Sequence, residues 1–128
     1  IEDRPFEGED KSFSDGEYQF DLSFVNNASI AALCDKYDAI RERGAEVYFS
    51  FAPFNRNGLE IEDLETLDWL TFEMIYKEAL FARGYKAISR VEDYMLLGRF
   101  FFDTDYHLND EGAKLRTELL IEDLKKVL

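Results

Sequence analysis

From Asn26 onward the apolar residues switch between two spacings, and the switches mark out the elements. Ile30, Leu33, Cys34 and Tyr37 fall at i, i+3, i+4 and i+7, and Ile40 extends the stripe. This is the period of a helix, with Asn27 placed to cap its start and Gly44 just past its end. Glu46–Ala52 follows, aromatic or β-branched at most positions and closed by Pro53. Such a run predicts a strand covered on both faces, as in a parallel sheet. After the polar loop Asn55–Gly58, the acids Glu60, Glu62, Asp63 and Glu65 load the start of a second helix. Negative charge suits the positive end of a helix dipole.

Leu64, Leu67, Leu70, Met74 and Ile75 are expected to line one side of that helix. Trp69, Phe72, Tyr76 and Leu80 broaden the stripe, and Gly84 closes it. A short strand is predicted at Tyr85–Ser89, while Val91–Leu97 reads equally as a helical turn or as more strand. Phe100, Phe101 and Phe102 form a second apolar burst, cut off by the polar loop Asp103–Asp110. The last helix starts near Asn109 and runs through Leu115, Leu119, Leu120, Leu124 and Val127. Asp110 and Glu111 fall in its first turn and Lys125 and Lys126 at its negative end.

Residues 1–25 read differently, as an acidic arm running into an extended segment. There Tyr18, Phe20, Leu22 and Phe24 alternate with polar residues, the period of a half-buried strand. Residues 26–128 form the α/β portion, since strands alternating with helices of this length signal parallel βαβ units. The few strands make a thin sheet for three helices, where ~4–6 are usual. The expectation is therefore the C-terminal portion of a larger parallel sheet. The opening residue, Ile1 and not Met, fits that expectation.

Composition narrows the partners. The 128 residues carry 28 acids against 15 bases, a formal charge of −13, which repels nucleic acid and anionic membrane surfaces. With 46% hydrophobic residues a core is affordable, and no apolar run is long enough to span a bilayer. A single Cys makes no internal disulfide, and with a single His it makes no Cys/His zinc site. No cofactor is called for. The compartment stays open, extracytoplasmic if a signal or anchor preceded Ile1.

Ligands of open α/β sheets sit beyond the carboxyl ends of the strands, and two polar loops leave such ends. One holds the lone histidine, His107, with Asp105 two and Asp103 four positions upstream. These are the parts of an oriented general base, and equally of a solvated ion pair. In the other loop, Asn55 and Asn57 are candidate substrate-binding donors, or simply turn formers. Asp103, Asp105 and Asp110 compete as oxygen ligands for a divalent cation. An EF-type loop counted from Asp103 needs Gly and Glu where Leu108 and Lys114 stand, so that signature fails. Cys34 reads as a small core residue.

The segment Phe101–Asn109 (FFDTDYHLN), followed by Glu111-Gly112-Ala113 and Arg116-Thr117, resembles the last block of SGNH (GDSL-type) hydrolases. Val47–Asn55 (VYFSFAPFN) is similar to the central strand upstream of that block, and the resemblance covers about residues 26–128. It implies a three-layer α/β/α, flavodoxin-like parallel sheet. It also implies action on acyl esters, acetyl foremost, of carbohydrate or cell-envelope substrates, by hydrolysis or transfer. His107 would be the base of a Ser-His-Asp triad. The family's usual Asp-x-x-His spacing puts Thr104 where the carboxylate belongs. Asp-x-His, found among acetyl-transferring members, favours Asp105, with Asp103 the alternative. No Gly-Asp-Ser block is present; Ser12-Phe13-Ser14-Asp15-Gly16 holds the letters in another order. The chain alone is thus expected to lack the nucleophile and to be inactive. The alternative is a non-catalytic α/β interaction module, whose aromatic strand Tyr18–Phe24 docks on a partner or forms a homodimer through a sheet edge.

Overall fold

The computed structural model describes residues 9–13, 22, 25–59 and 68–128. The alternating segment around Tyr18–Phe24, Ser14 and the acidic helix start Glu60–Leu67 lie outside the described residues, apart from Leu22. Helix α1 spans Asn27–Arg41, and its cap is Asn26 rather than Asn27. The Asn26 carboxamide oxygen accepts from the Ala28 and Ser29 amides at 2.9 and 3.3 Å, satisfying donors that the first turn leaves free. Helix α2 is described over Asp68–Ala82 and helix α3 over Asp110–Lys125. Gly44 and Gly84, at φ 92° and 79°, supply the left-handed residues that follow α1 and α2.

The predicted strand Glu46–Ala52 is shorter than its apolar run. Pairing occurs at β1, Tyr48–Phe49, and resumes after Pro53 at β2, Phe54–Asn55. The interruption comes from a tertiary contact: the Ser89 hydroxyl takes the Phe51 amide at 2.8 Å, in place of a ladder carbonyl. Strand β3 is Lys86–Ala87 and pairs parallel with β1; β4 is Met95–Leu96 and pairs parallel with β2. The ambiguous Val91–Leu97 stretch resolves into both readings, a 3₁₀ turn at Glu92–Tyr94 and then β4. The result is a small mixed α/β fold with two short parallel strand pairs and three described helices.

Two apolar clusters hold it together. Ile30, Cys34, Leu80 and Tyr85 join α1, α2 and the entry to β3, with Phe49 packed against them. Phe54, Trp69 and Val91 form the second, flanked by Phe51, Phe72 and Met95. On α1 the buried stripe narrows to Ile30 and Cys34, since Leu33 and Ile40 are exposed. On α2 the inward face is the one bearing Trp69 and Leu80, and Met74 turns to solvent. That helix is apolar on most of its circumference, so periodicity had no polar face to set it against. Among the described residues no helix is long and apolar enough to cross a membrane.

Candidate functional site around His107

The loop after the Phe100–Phe102 burst is built by its own polar side chains. Phe101 and Leu108 form an antiparallel bridge, and the Phe102 amide donates to the His107 carbonyl at 2.8 Å. Inside that closure, the Thr104 hydroxyl accepts from the Tyr106 and His107 amides at 3.2 and 3.0 Å. Thr104 is therefore a turn-former, which accounts for its standing where the Asp-x-x-His spacing would put an acid. Asn109 then seats the loop on α3. Its carboxamide oxygen caps the Gly112 amide at 2.9 Å, and its amide donates to the Arg99 carbonyl at 2.7 Å.

The two acids of the loop have separate tasks. Asp103 Oδ1 lies 2.9 Å from His107 Nδ1, with the side chains 53% and 56% exposed. A carboxylate only accepts, so in the neutral ring Nδ1 carries the hydrogen and Nε2 is left as the basic atom. No described residue bonds to Nε2. Asp105, the acid that the Asp-x-His spacing favours, is 1% exposed and does not orient the ring. Its carboxylate accepts from Ser12 Oγ at 2.9 Å, from the Phe13 amide at 2.9 Å and from Asn55 Nδ2 at 2.7 Å. Its carbonyl accepts from the Asn55 amide at 2.8 Å. A buried carboxylate with three donors is a satisfied anchor.

The asparagines of the β2 loop also separate. Asn55 is fully buried, and its side-chain amide is spent on the Asp105 carboxylate and the Lys11 carbonyl. Its oxygen receives the Asn57 amide at 2.9 Å, so the structure makes Asn55 a tie between loops and not a donor to substrate. Asn57 is exposed at the same strand end, and its side-chain oxygen accepts from the Gly98 amide at 2.9 Å. A cavity of about 150 Å³ lined by Pro53, Phe54, Phe72, Val91 and Tyr106 opens beside this loop. Burial, and secondarily the Asp105 charge, push the Tyr106 hydroxyl up, so it stays protonated at neutral pH.

Neither a cation site nor a thiol nucleophile is assembled from the other candidates. Among the described residues no three His, Cys, Asp or Glu side chains gather as metal ligands would. Cys34 is buried in the α1–α2 cluster, and burial pushes its thiol up, away from the reactive thiolate. Sequence reasoning assigned no site role to Ser12, Asp10 and Arg99, which converge on the site from distant parts of the chain. No short-range spacing signals contacts of that kind. Thr104 carried a signal, since a hydroxyl two and three residues ahead of loop amides is a recurrent turn device.

The fold and site thus define a small α/β protein with an exposed His–Asp pair on the loop preceding its last helix. No family model, curated protein or solved structure matches the chain.

Proposed function

We propose that this chain is the C-terminal portion of an SGNH-like hydrolase or acyltransferase, contributing the His–Asp half of a Ser-His-Asp triad. Its substrates would be acyl esters, acetyl foremost, of carbohydrate or cell-envelope material. The observation that carries the reading is the 2.9 Å contact between His107 Nδ1 and Asp103 Oδ1. It lies in the block that resembles the family, and it leaves Nε2 available. In the proposed reaction a serine hydroxyl from a strand outside these 128 residues attacks the ester carbonyl while His107 Nε2 takes its proton. Asp103 stabilises the imidazolium, which then protonates the departing alkoxide. The cavity beside Tyr106 is apolar and of a size for a short acyl group. Further parallel strands beside β1–β4 would complete the three-layer sheet.

The test starts from the coding sequence upstream. It should encode a strand followed by Gly-Asp-Ser within about one domain length. In the extended protein, His107→Ala should lower kcat on a small acetyl ester by roughly 10²–10⁴-fold. Asp103→Asn should lower it with little change in KM. The chain alone should show no turnover. An upstream region without such a serine, or full turnover in His107→Ala, removes the enzyme reading.

The alternative, a non-catalytic interaction module, draws on the outer face of α2, where Met74 and Phe81 are 61% and 80% exposed. Large apolar side chains in that setting suit a partner surface. Light scattering that finds a monomer at all concentrations counts against self-association through it.

A further inference from the structure

The stretch Glu9–Phe13 crosses the carboxyl ends of β2 and β4. Asp10 takes the Arg99 side chain in a fork, with Nε at 2.9 Å and Nη2 at 2.6 Å, and also the Arg99 amide at 3.1 Å. The Lys11 carbonyl accepts from Asn55 Nδ2 at 2.7 Å. Ser12 and Phe13 supply donors to the Asp105 carboxylate beside that of Asn55. The strap also lies against bare backbone: a Cβ on Gly98 would come within 2.2 Å of the Lys11 carbonyl oxygen. Only glycine permits that approach.

We propose that Lys11–Phe13 positions the His107 loop, with Ser12 and Asp105 as positioning residues that leave Asp103 as the acid holding the imidazole. The physical reason is the cost of a buried carboxylate without donors. Held by Ser12, Phe13 and Asn55, Asp105 pins the middle of the loop to β2. Stripped of the strap, it loses the Ser12 and Phe13 donors, and the cost of that loss drives it toward water or toward the ring two residues away. Either movement carries Thr104 and Asp103 with it, because the turn around the Thr104 hydroxyl links them to His107. The catalytic meaning of this placement rests on the hydrolase reading. The coupling between strap and ring does not.

The test is imidazole ¹⁵N–¹H correlation spectroscopy on the labelled chain, at a pH where the ring is neutral. The wild type should show the pattern of hydrogen on Nδ1 and a bare Nε2. Gly98→Ala pushes the strap off without altering Asp105, Asp103 or His107, and Ser12→Ala removes one donor. Both should move the ring signals toward the averaged pattern of a solvated imidazole, while Ser12→Thr restores the wild-type pattern. Amide signals of α1 and α2 should stay in place, reporting an intact fold. Unchanged ring signals in both Gly98→Ala and Ser12→Ala overturn the positioning role and leave the His–Asp pair standing. If Asp103→Asn also leaves the ring signals unmoved, the pair itself falls and the positioning role falls with it.

Discussion

Asn55 donates its side-chain amide to the Asp105 carboxylate at 2.7 Å, and the two side chains are 0% and 1% exposed. Fifty positions separate them in the chain. The bond joins the end of β2 to the middle of the His107 loop, and it helps keep a carboxylate satisfied out of reach of water. Asn55→Ala removes that donor and the tie to the Lys11 carbonyl together. The expected loss is about 2–4 kcal/mol of unfolding free energy, the range for a buried charge deprived of a partner. Urea denaturation with an unchanged m-value checks it. A loss well under ~1 kcal/mol would mean that water replaces the amide at little cost.

Tyr94 is fully buried and donates its hydroxyl to Asp123 Oδ2 at 2.6 Å, and the Arg116 guanidinium stacks 4.2 Å from its ring centre. Burial first, and Asp123 second, push the Tyr94 hydroxyl up, so it remains a donor at neutral pH. Tyr94→Phe keeps the packing and removes the donor. It should destabilise the fold by about 1.5–3 kcal/mol, most of it from the Asp123 carboxylate, which is left with the longer Lys126 contact at 3.5 Å. The paired variant Tyr94→Phe/Asp123→Leu should recover part of that loss in the same unfolding measurement. A double variant no better than the single one contradicts the assignment.

Acid should loosen the contact between α1 and α2. The Tyr85 hydroxyl, at 2.6 Å, and after it the Arg83 guanidinium hold the Asp38 carboxyl below the usual carboxylate range. A carboxylate lowered on folding contributes stability that is complete above its unfolded value near ~4 and is lost as pH falls through the folded value. Asp10, lowered chiefly by the Arg99 side chain, acts with the same sign on the strap. Urea midpoints measured from neutral pH into acid should therefore fall below about pH 4. Asp38→Asn should start lower at neutral pH and fall less steeply. Parallel curves for the two proteins would assign the acid sensitivity elsewhere.

Legibility differed between levels of structure. The cap and dipole charges of α3 were readable because Asn109, Asp110, Glu111 and Lys125 act on backbone groups within a turn of themselves. Gly84 was readable as a terminator for the same reason. The inward face of α2 was not, because a helix apolar on most sides leaves the choice to whatever packs against it. The length of β1 was set by Ser89, a residue 38 positions from the amide it captures.

By itself the sequence determined the alternation of helices and strands, the placement of the only histidine on a loop before the last helix, and the acids available to it. All of these follow from interactions within a few residues. Tertiary structure alone decided which acid serves the histidine. Asp105 and Asp103 are nearly equivalent in spacing. Ser12, Phe13 and Asn55 claim Asp105 across 93, 92 and 50 positions, and Asp103 is left facing the imidazole. Burial makes that division binding, because a carboxylate withdrawn from water must keep the donors it has.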